Sequence, residues 1–174
     1  GRWNHDVRTP TRNGFSRELS QPINLRATSS DLRLFVGRRV GGGWLAESAD
    51  SYVWGTAVEA LGAYRLRLEL KDLNLPQGAR LWVWGEGETP SYFSPENISE
   101  SGSLWTPSVG GPAIYLEVAW PRDTAGDEVV RLRIDRLLQV FELDLEGEAV
   151  EGLVVLIDQL EEQEDFDHSL RHLP

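Results

Sequence analysis

Few residues of this 174-residue chain can do chemistry, and they are unevenly placed. The three histidines are His5, His168 and His172, all near the chain ends. Catalysis of the Ser-His-Asp kind needs a serine, a base and an orienting acid brought together. His168 stands beside Asp165 and Asp167, which supplies a base with an orienting carboxylate. His168 and His172 are also spaced i, i+4, a metal-binding spacing if the segment is helical. The plainer reading is a solvated tail, because a useful site needs preorganised ligands and Pro174 closes a segment with weak fold signals. With no cysteine, disulfides, thiolate metal sites and a cysteine nucleophile are excluded. No catalytic residue is assigned, and the chain is expected not to be an enzyme.

Carboxylates recur between Gly85 and Gly102: Glu86, Glu88, Glu96 and Glu100. Calcium takes six to eight oxygen ligands, so Glu86 and Glu88 are one calcium candidate. Asp123 and Asp127, flanking Gly126, are a second. Neither has the Asp-x-Asp-x-Asp-Gly spacing of a dedicated calcium loop, and scattered loop carboxylates are usually a solvated surface. No other cofactor is expected.

The aromatic residues are more informative. Ala79 to Trp84 alternates, which turns Leu81 and Val83 inward and Arg80, Trp82 and Trp84 outward. Tyr115 points outward from a later strand, and Arg65, Arg67, Arg131 and Arg133 do so from others. Exposed tryptophans need a cover. One reading is intramolecular: an N-terminal arm carrying Trp3 and Phe15 lies across them. The other is a ligand or partner surface built from Trp82, Trp84, Tyr115, Arg67 and Arg133, with Tyr92 and Trp105 joining from loops. Aromatic platforms flanked by arginine suit sugar rings, peptide segments or a neighbouring domain.

The elements that position these residues are strands. Tyr64, Leu66, Leu68 and Leu70 fall on one face, opposite Arg65, Arg67 and Glu69, the pattern of a half-buried antiparallel strand. Asn74 to Gly78 is a turn. Leu104-Trp105-Thr106 is a short aromatic element. Ile114, Leu116, Val118 and Trp120 make the buried side of another strand, and Val130, Leu132 and Ile134 supply one more. Short strands between turn clusters predict an all-β, antiparallel, jelly-roll-like sandwich. Residues 1–43 are polar, with a short alternating run at Leu32, Leu34 and Val36, and read as an arm packed on the sandwich. Residues 44–141 form the sandwich core. Residues 142–174 are an acidic extension, partly helical in one reading.

Eleven of the 28 acidic residues lie between Glu142 and Asp167, a stretch without Lys or Arg. The remaining 17 acids balance the 17 bases, so the net charge of −11 belongs to that segment. Phosphate-backbone binding needs concentrated basic surface, so nucleic acid is not an expected partner. No apolar run approaches a bilayer span. A chain starting at Gly1 without methionine reads as a processed product, its signal peptide removed, or as an excised piece.

Residues 61–85, LGAYRLRLELKDLNLPQGARLWVWG, and 104–118, LWTPSVGGPAIYLEV, resemble a known domain. It is the β-sandwich N-terminal (pro)domain that precedes the catalytic domain in lysyl endopeptidase-like, trypsin-like secreted bacterial serine peptidases. The family pattern is "D-hydrophobic-x-LP-x-GA", an aromatic strand, then "W-(S/T)-P-x-V". The matching positions are Asp72, Leu75, Pro76, Gly78, Ala79, Trp105, Thr106, Pro107 and Val109. The run from Ile134 to Phe141 is similar to the family's last strand. The resemblance implies a secreted or periplasmic precursor in which this portion is non-catalytic. The Gly-Asp-Ser-Gly and Ala-x-His-Cys segments of such peptidases are absent from this chain. The implied role is an accessory or pro-region domain acting on a downstream peptidase domain or other protein. The alternative from the residues themselves is a carbohydrate-binding module that takes polysaccharide on the aromatic sheet face.

Overall fold

The computed structural model describes residues 12–142. Eleven strands, one α-helix and one 3-10 turn (Pro95–Asn97) follow among these residues: β1 (Arg12–Thr28), α1 (Ser29–Phe35), β2 (Arg38–Val40), β3 (Gly43–Glu47), β4 (Ser51–Glu59), β5 (Arg65–Asn74), β6 (Arg80–Gly85), β7 (Ser91–Phe93), β8 (Leu104–Trp105), β9 (Val109–Gly110), β10 (Ala113–Pro121) and β11 (Val129–Glu142). They form an all-β sandwich of two sheets. One sheet has the order β1-β11-β5-β8, with β9 also on β5, and the other runs β2-β3-β4-β10-β6-β7. From β4 onward the chain alternates between them: β5, β8, β9 and β11 join the first, and β6, β7 and β10 the second. The strand pairs among β2 to β11 are antiparallel.

The core lies between the inward faces. Leu66, Leu68 and Leu70 of β5 meet Leu81 and Val83 of β6, and Ile114, Leu116, Val118 and Trp120 of β10, all buried. Val130, Leu132, Ile134 and Leu137 of β11 complete it. A register shift between Arg131 and Arg133 places an extra residue in β5, and one between Ile134 and Arg136 places an extra residue in β11 and breaks its two-residue period. Ile134 and Leu137 are therefore both buried, since an extra residue reverses which side chains face inward.

Three sequence expectations differ from the structure. The described part of the expected arm is built into the sandwich: β1 pairs with β11 at the edge of the five-stranded sheet, and Ile23, Leu25 and Ala27 are buried. Burying their apolar area requires the chain to join the sheet rather than lie over it. The run Leu32, Leu34, Val36 is not extended. Thr28 and Asp31 form a capping box that starts α1; Leu32 is buried and Leu34 faces solvent. Tyr64 is half exposed, at 50%, because it precedes β5 and lies at a turn where its N–H donates to the Val140 carbonyl. Residues 143–174, which include the expected acidic extension, lie outside the described residues.

Candidate functional site

The outward face of the six-stranded sheet collects aromatic rings. On β6 the alternation that buries Leu81 and Val83 turns Arg80, Trp82 and Trp84 outward. On β10 the buried Ile114, Leu116 and Val118 leave Tyr115, Glu117 and Ala119 outward. Register then sets the neighbours. Tyr115 lies opposite Trp84, and the two rings stack at 5.8 Å and 20°. Glu117 lies opposite Trp82, whose ring meets Tyr92 of β7 at 5.1 Å. The Arg80 guanidinium sits 5.5 Å over the Tyr92 ring, a cation–π arrangement.

The row continues across β4 and β3. Glu117 faces Gly55 on its other side, and Gly55 faces Trp44, which is 54% exposed. Trp44, Gly55, Glu117, Trp82 and Tyr92 thus stand in one line across five strands. Gly55 leaves a gap in that line which packing does not demand. Its φ is not positive, and a Cβ there would meet only the Leu116 carbonyl oxygen at 3.6 Å, an ordinary contact. Beside the row, Arg80, Trp82, Ala119, Trp120, Pro121, Arg122, Asp123, Asp50, Ser51 and Gly78 line an open groove of about 650 Å³. Trp120 is buried, and its indole N–H has no hydrogen-bond partner among the described residues.

The seven residues expected to share one surface lie on two opposite ones. Trp82, Trp84, Tyr92 and Tyr115 belong to the six-stranded sheet. Arg67 and Trp105 are on β5 and β8, and Arg133 on β11, so all three belong to the five-stranded sheet. There the Arg67 guanidinium lies 5.6 Å over the Trp105 ring and donates to the Thr106 carbonyl at 2.9 Å. Arg133 pairs with Asp72 at 3.4 Å and Asp135 at 3.7 Å, and Lys71 with Asp135 at 3.3 Å and Glu69 at 3.6 Å. This second face is a solvated ion-pair lattice, and such pairs add little stability.

The described arm does not cover the aromatic row. Its long strand, β1, lies in the other sheet, where Phe15 meets Phe141 edge-on at 5.7 Å, and β2 pairs edge to edge with β3. Trp3 lies outside the described residues, as do His5, His168 and His172. Sequence reasoning missed Trp44, Gly55 and Glu117. A signal existed for Trp44: in Gly43-Trp44-Leu45-Ala46-Glu47, Leu45 is the apolar residue turned inward and Trp44 alternates with it.

The calcium candidates are not brought together. Among the described residues no group of three or more His, Cys, Asp or Glu side chains is placed to hold a metal. The Glu88 carboxylate accepts the Gly110 N–H at 2.8 Å and lies 3.8 Å from Arg65, which ties the β6–β7 turn to β9. A hydrogen bond from the Ser94 hydroxyl holds the Glu96 carboxyl below its usual range. Glu86 is exposed, as are Asp123 and Asp127. Residues 12–142 contain neither histidine nor cysteine, so this portion has no imidazole base and no thiol. No helix among the described residues is long and apolar enough to cross a membrane.

The lysyl endopeptidase N-terminal domain family matches residues 3–140. The chain belongs to that family. The match takes in both sheets apart from the last residues of β11, and it concerns the N-terminal, non-catalytic region of such proteins. Among solved structures, a carbohydrate-binding module, TmCBM61 in complex with beta-1,4-galactotriose, is similar over 75% of this chain and 88% of its own, at 13% identity and a TM-score of 0.27. That likeness is too loose to carry an argument.

Proposed function

We propose that this domain is a non-catalytic accessory or pro-region domain of an exported, serine-peptidase-type multidomain protein, and that it acts by contact with the peptidase domain of the same precursor. Family membership over residues 3–140 supports this reading. The absence of histidine and cysteine from residues 12–142 agrees with it. Contact would help the partner fold, hold it inactive or place it near substrate. The acidic segment from Glu142 to Asp167 adds long-range attraction toward a basic partner, an effect that salt weakens. The test is to mix the domain with its peptidase domain and follow association by light scattering at low and high salt. Complex formation that weakens with salt is expected. Two separate species at both ionic strengths would remove a stable docking role.

One observation favours a second reading. The row from Trp44 to Tyr92 is uncovered by the described chain, and exposed aromatic platforms suit sugar rings. On this reading the domain is a carbohydrate-binding module that holds its protein on a polysaccharide outside the cell. Tryptophan fluorescence should then change on titration with soluble polysaccharides. A flat response to every polymer tried would discard it.

A further inference from the structure

We propose that the row across the six-stranded sheet seats an uncharged polysaccharide chain running perpendicular to the strands, with Trp44 and Trp82 as its two platforms and Glu117 selecting against acidic polymers. The inference rests on the carbohydrate reading above and names its ligand class and orientation.

Spacing gives the orientation. Neighbouring strands lie about 4.8 Å apart, so Trp44 and Trp82, three strands removed, stand roughly 14 Å from each other, and Tyr92 extends the row to about 19 Å. That is the reach of a short oligosaccharide, not of a single ring. Between the platforms the floor drops at Gly55, where neither backbone conformation nor packing calls for glycine. A strand interior disfavours glycine, so the missing side chain leaves room where the middle of a bound chain would pass.

Charge selects the ligand class. Glu117 is half-buried at the centre of the row and has no ion-pair or hydrogen-bond partner among the described residues. A carboxylate there accepts hydrogen bonds from hydroxyls and repels a carboxylated polymer. The adjoining groove holds Asp50 and Asp123 against Arg80 and Arg122, so its lining is balanced in charge. Acidic chains meet three carboxylates, and basic peptides meet three guanidinium groups once Arg39, opposite Trp44 at the end of the row, is counted. A polyhydroxylated neutral chain, both donor and acceptor at each hydroxyl, is compatible with all of them.

The test is affinity electrophoresis of the whole chain in native gels, where its net charge of −11 drives migration. The gels contain glucomannan, mixed-linkage β-glucan, xylan, galactan, polygalacturonate or alginate. At least one neutral polymer should retard the protein, and the two acidic polymers should not. Trp44→Ala, Trp82→Ala and Gly55→Val should each weaken retardation about tenfold, the first two by loss of a platform and the third by filling the gap. Trp105→Ala, on the opposite sheet, should leave it unchanged. Glu117→Gln should keep neutral binding within about threefold and gain measurable retardation by polygalacturonate, since the amide keeps a hydrogen-bond acceptor without the charge. Thermal midpoints equal to the parent's show that each variant is folded. If no polymer retards the parent, the carbohydrate reading fails and this inference with it. If a polymer retards the parent, Gly55→Val and Trp44→Ala alike, the domain binds glycan elsewhere and the row is not the seat. If acidic and neutral polymers retard the parent equally, the role given to Glu117 is overturned.

Discussion

Thr106→Val isolates a hydrogen bond that the sandwich cannot replace. The five-stranded sheet is interrupted beside β5, because β8 ends at Trp105 and β9 starts at Val109, with Pro107 between them. Thr106 bridges that interruption. Its N–H donates to the Leu68 carbonyl at 3.0 Å, in ladder fashion. Its own carbonyl is turned toward the Arg67 guanidinium at 2.9 Å, so the return bond comes from the side chain, and the Leu68 N–H donates to the Thr106 hydroxyl at 2.9 Å. Both residues are fully buried, at 0% exposure. Valine keeps the shape and removes the acceptor, leaving the Leu68 N–H dry and unpaired, which costs about 1–3 kcal/mol. Thr106→Ser keeps the oxygen and loses one methyl, about 1 kcal/mol. With urea slopes of about 1–3 kcal/mol per molar, a loss near 2 kcal/mol lowers the unfolding midpoint by about 1 M. Equilibrium urea unfolding followed by tryptophan fluorescence reads both variants. The reasoning is refuted if valine unfolds within about 0.3 M of the parent, or if serine loses as much as valine.

Other outcomes follow from particular contacts. Leu25→Ala, a change in a segment with the composition of a loop, should cost about 2–5 kcal/mol in urea unfolding, because Leu25 is fully buried in β1; a cost under about 0.5 kcal/mol would mean that this strand is dispensable. Gly43→Ala should lower the thermal midpoint by several degrees, since a Cβ there meets the Trp54 ring and lies 2.6 Å from the Gly55 carbonyl oxygen, an overpacking of about 1–3 kcal/mol; calorimetry measures it. The side-chain hydrogen bond from Thr28, with the Thr28 N–H second, holds the Asp31 carboxyl below its ordinary range. A depressed folded-state value gives stability that is fully present above the ordinary carboxylate pKa and is lost as pH falls through the depressed one. Carboxyl titration by NMR should find Asp31 low in the parent and raised toward the ordinary value in Thr28→Ala.

Much of the sandwich is legible in the residues. The alternations at Leu66–Leu70, Leu81–Val83, Ile114–Trp120 and Val130–Ile134 mark buried faces, and the structure buries each of them. Apolar contrast is strongest in strands covered on one side and solvated on the other. β1 escapes notice for the complementary reason. It lies at a sheet edge, contains Pro22, and buries only Ile23, Leu25 and Ala27 within a polar stretch, so its composition is that of a loop. The bulge in β11 is equally hidden, because an extra residue leaves no local mark when both flanking runs are apolar.

The candidate site divides along the same line. By itself the sequence determines that Trp82, Trp84 and Tyr115 turn away from the core, and that residues 12–142 hold no histidine or thiol for catalysis. The in-or-out choice is a two-residue period carried by each strand alone. Only the tertiary structure decides which sheet each strand enters. It brings Trp44 and Gly55 into line with Trp82, and it sends Arg67, Trp105 and Arg133 to the far side. Sheet membership is set by backbone pairing between segments distant along the chain and by the closure of one shared core. Neither leaves a pattern within a strand that could be read before the strands meet.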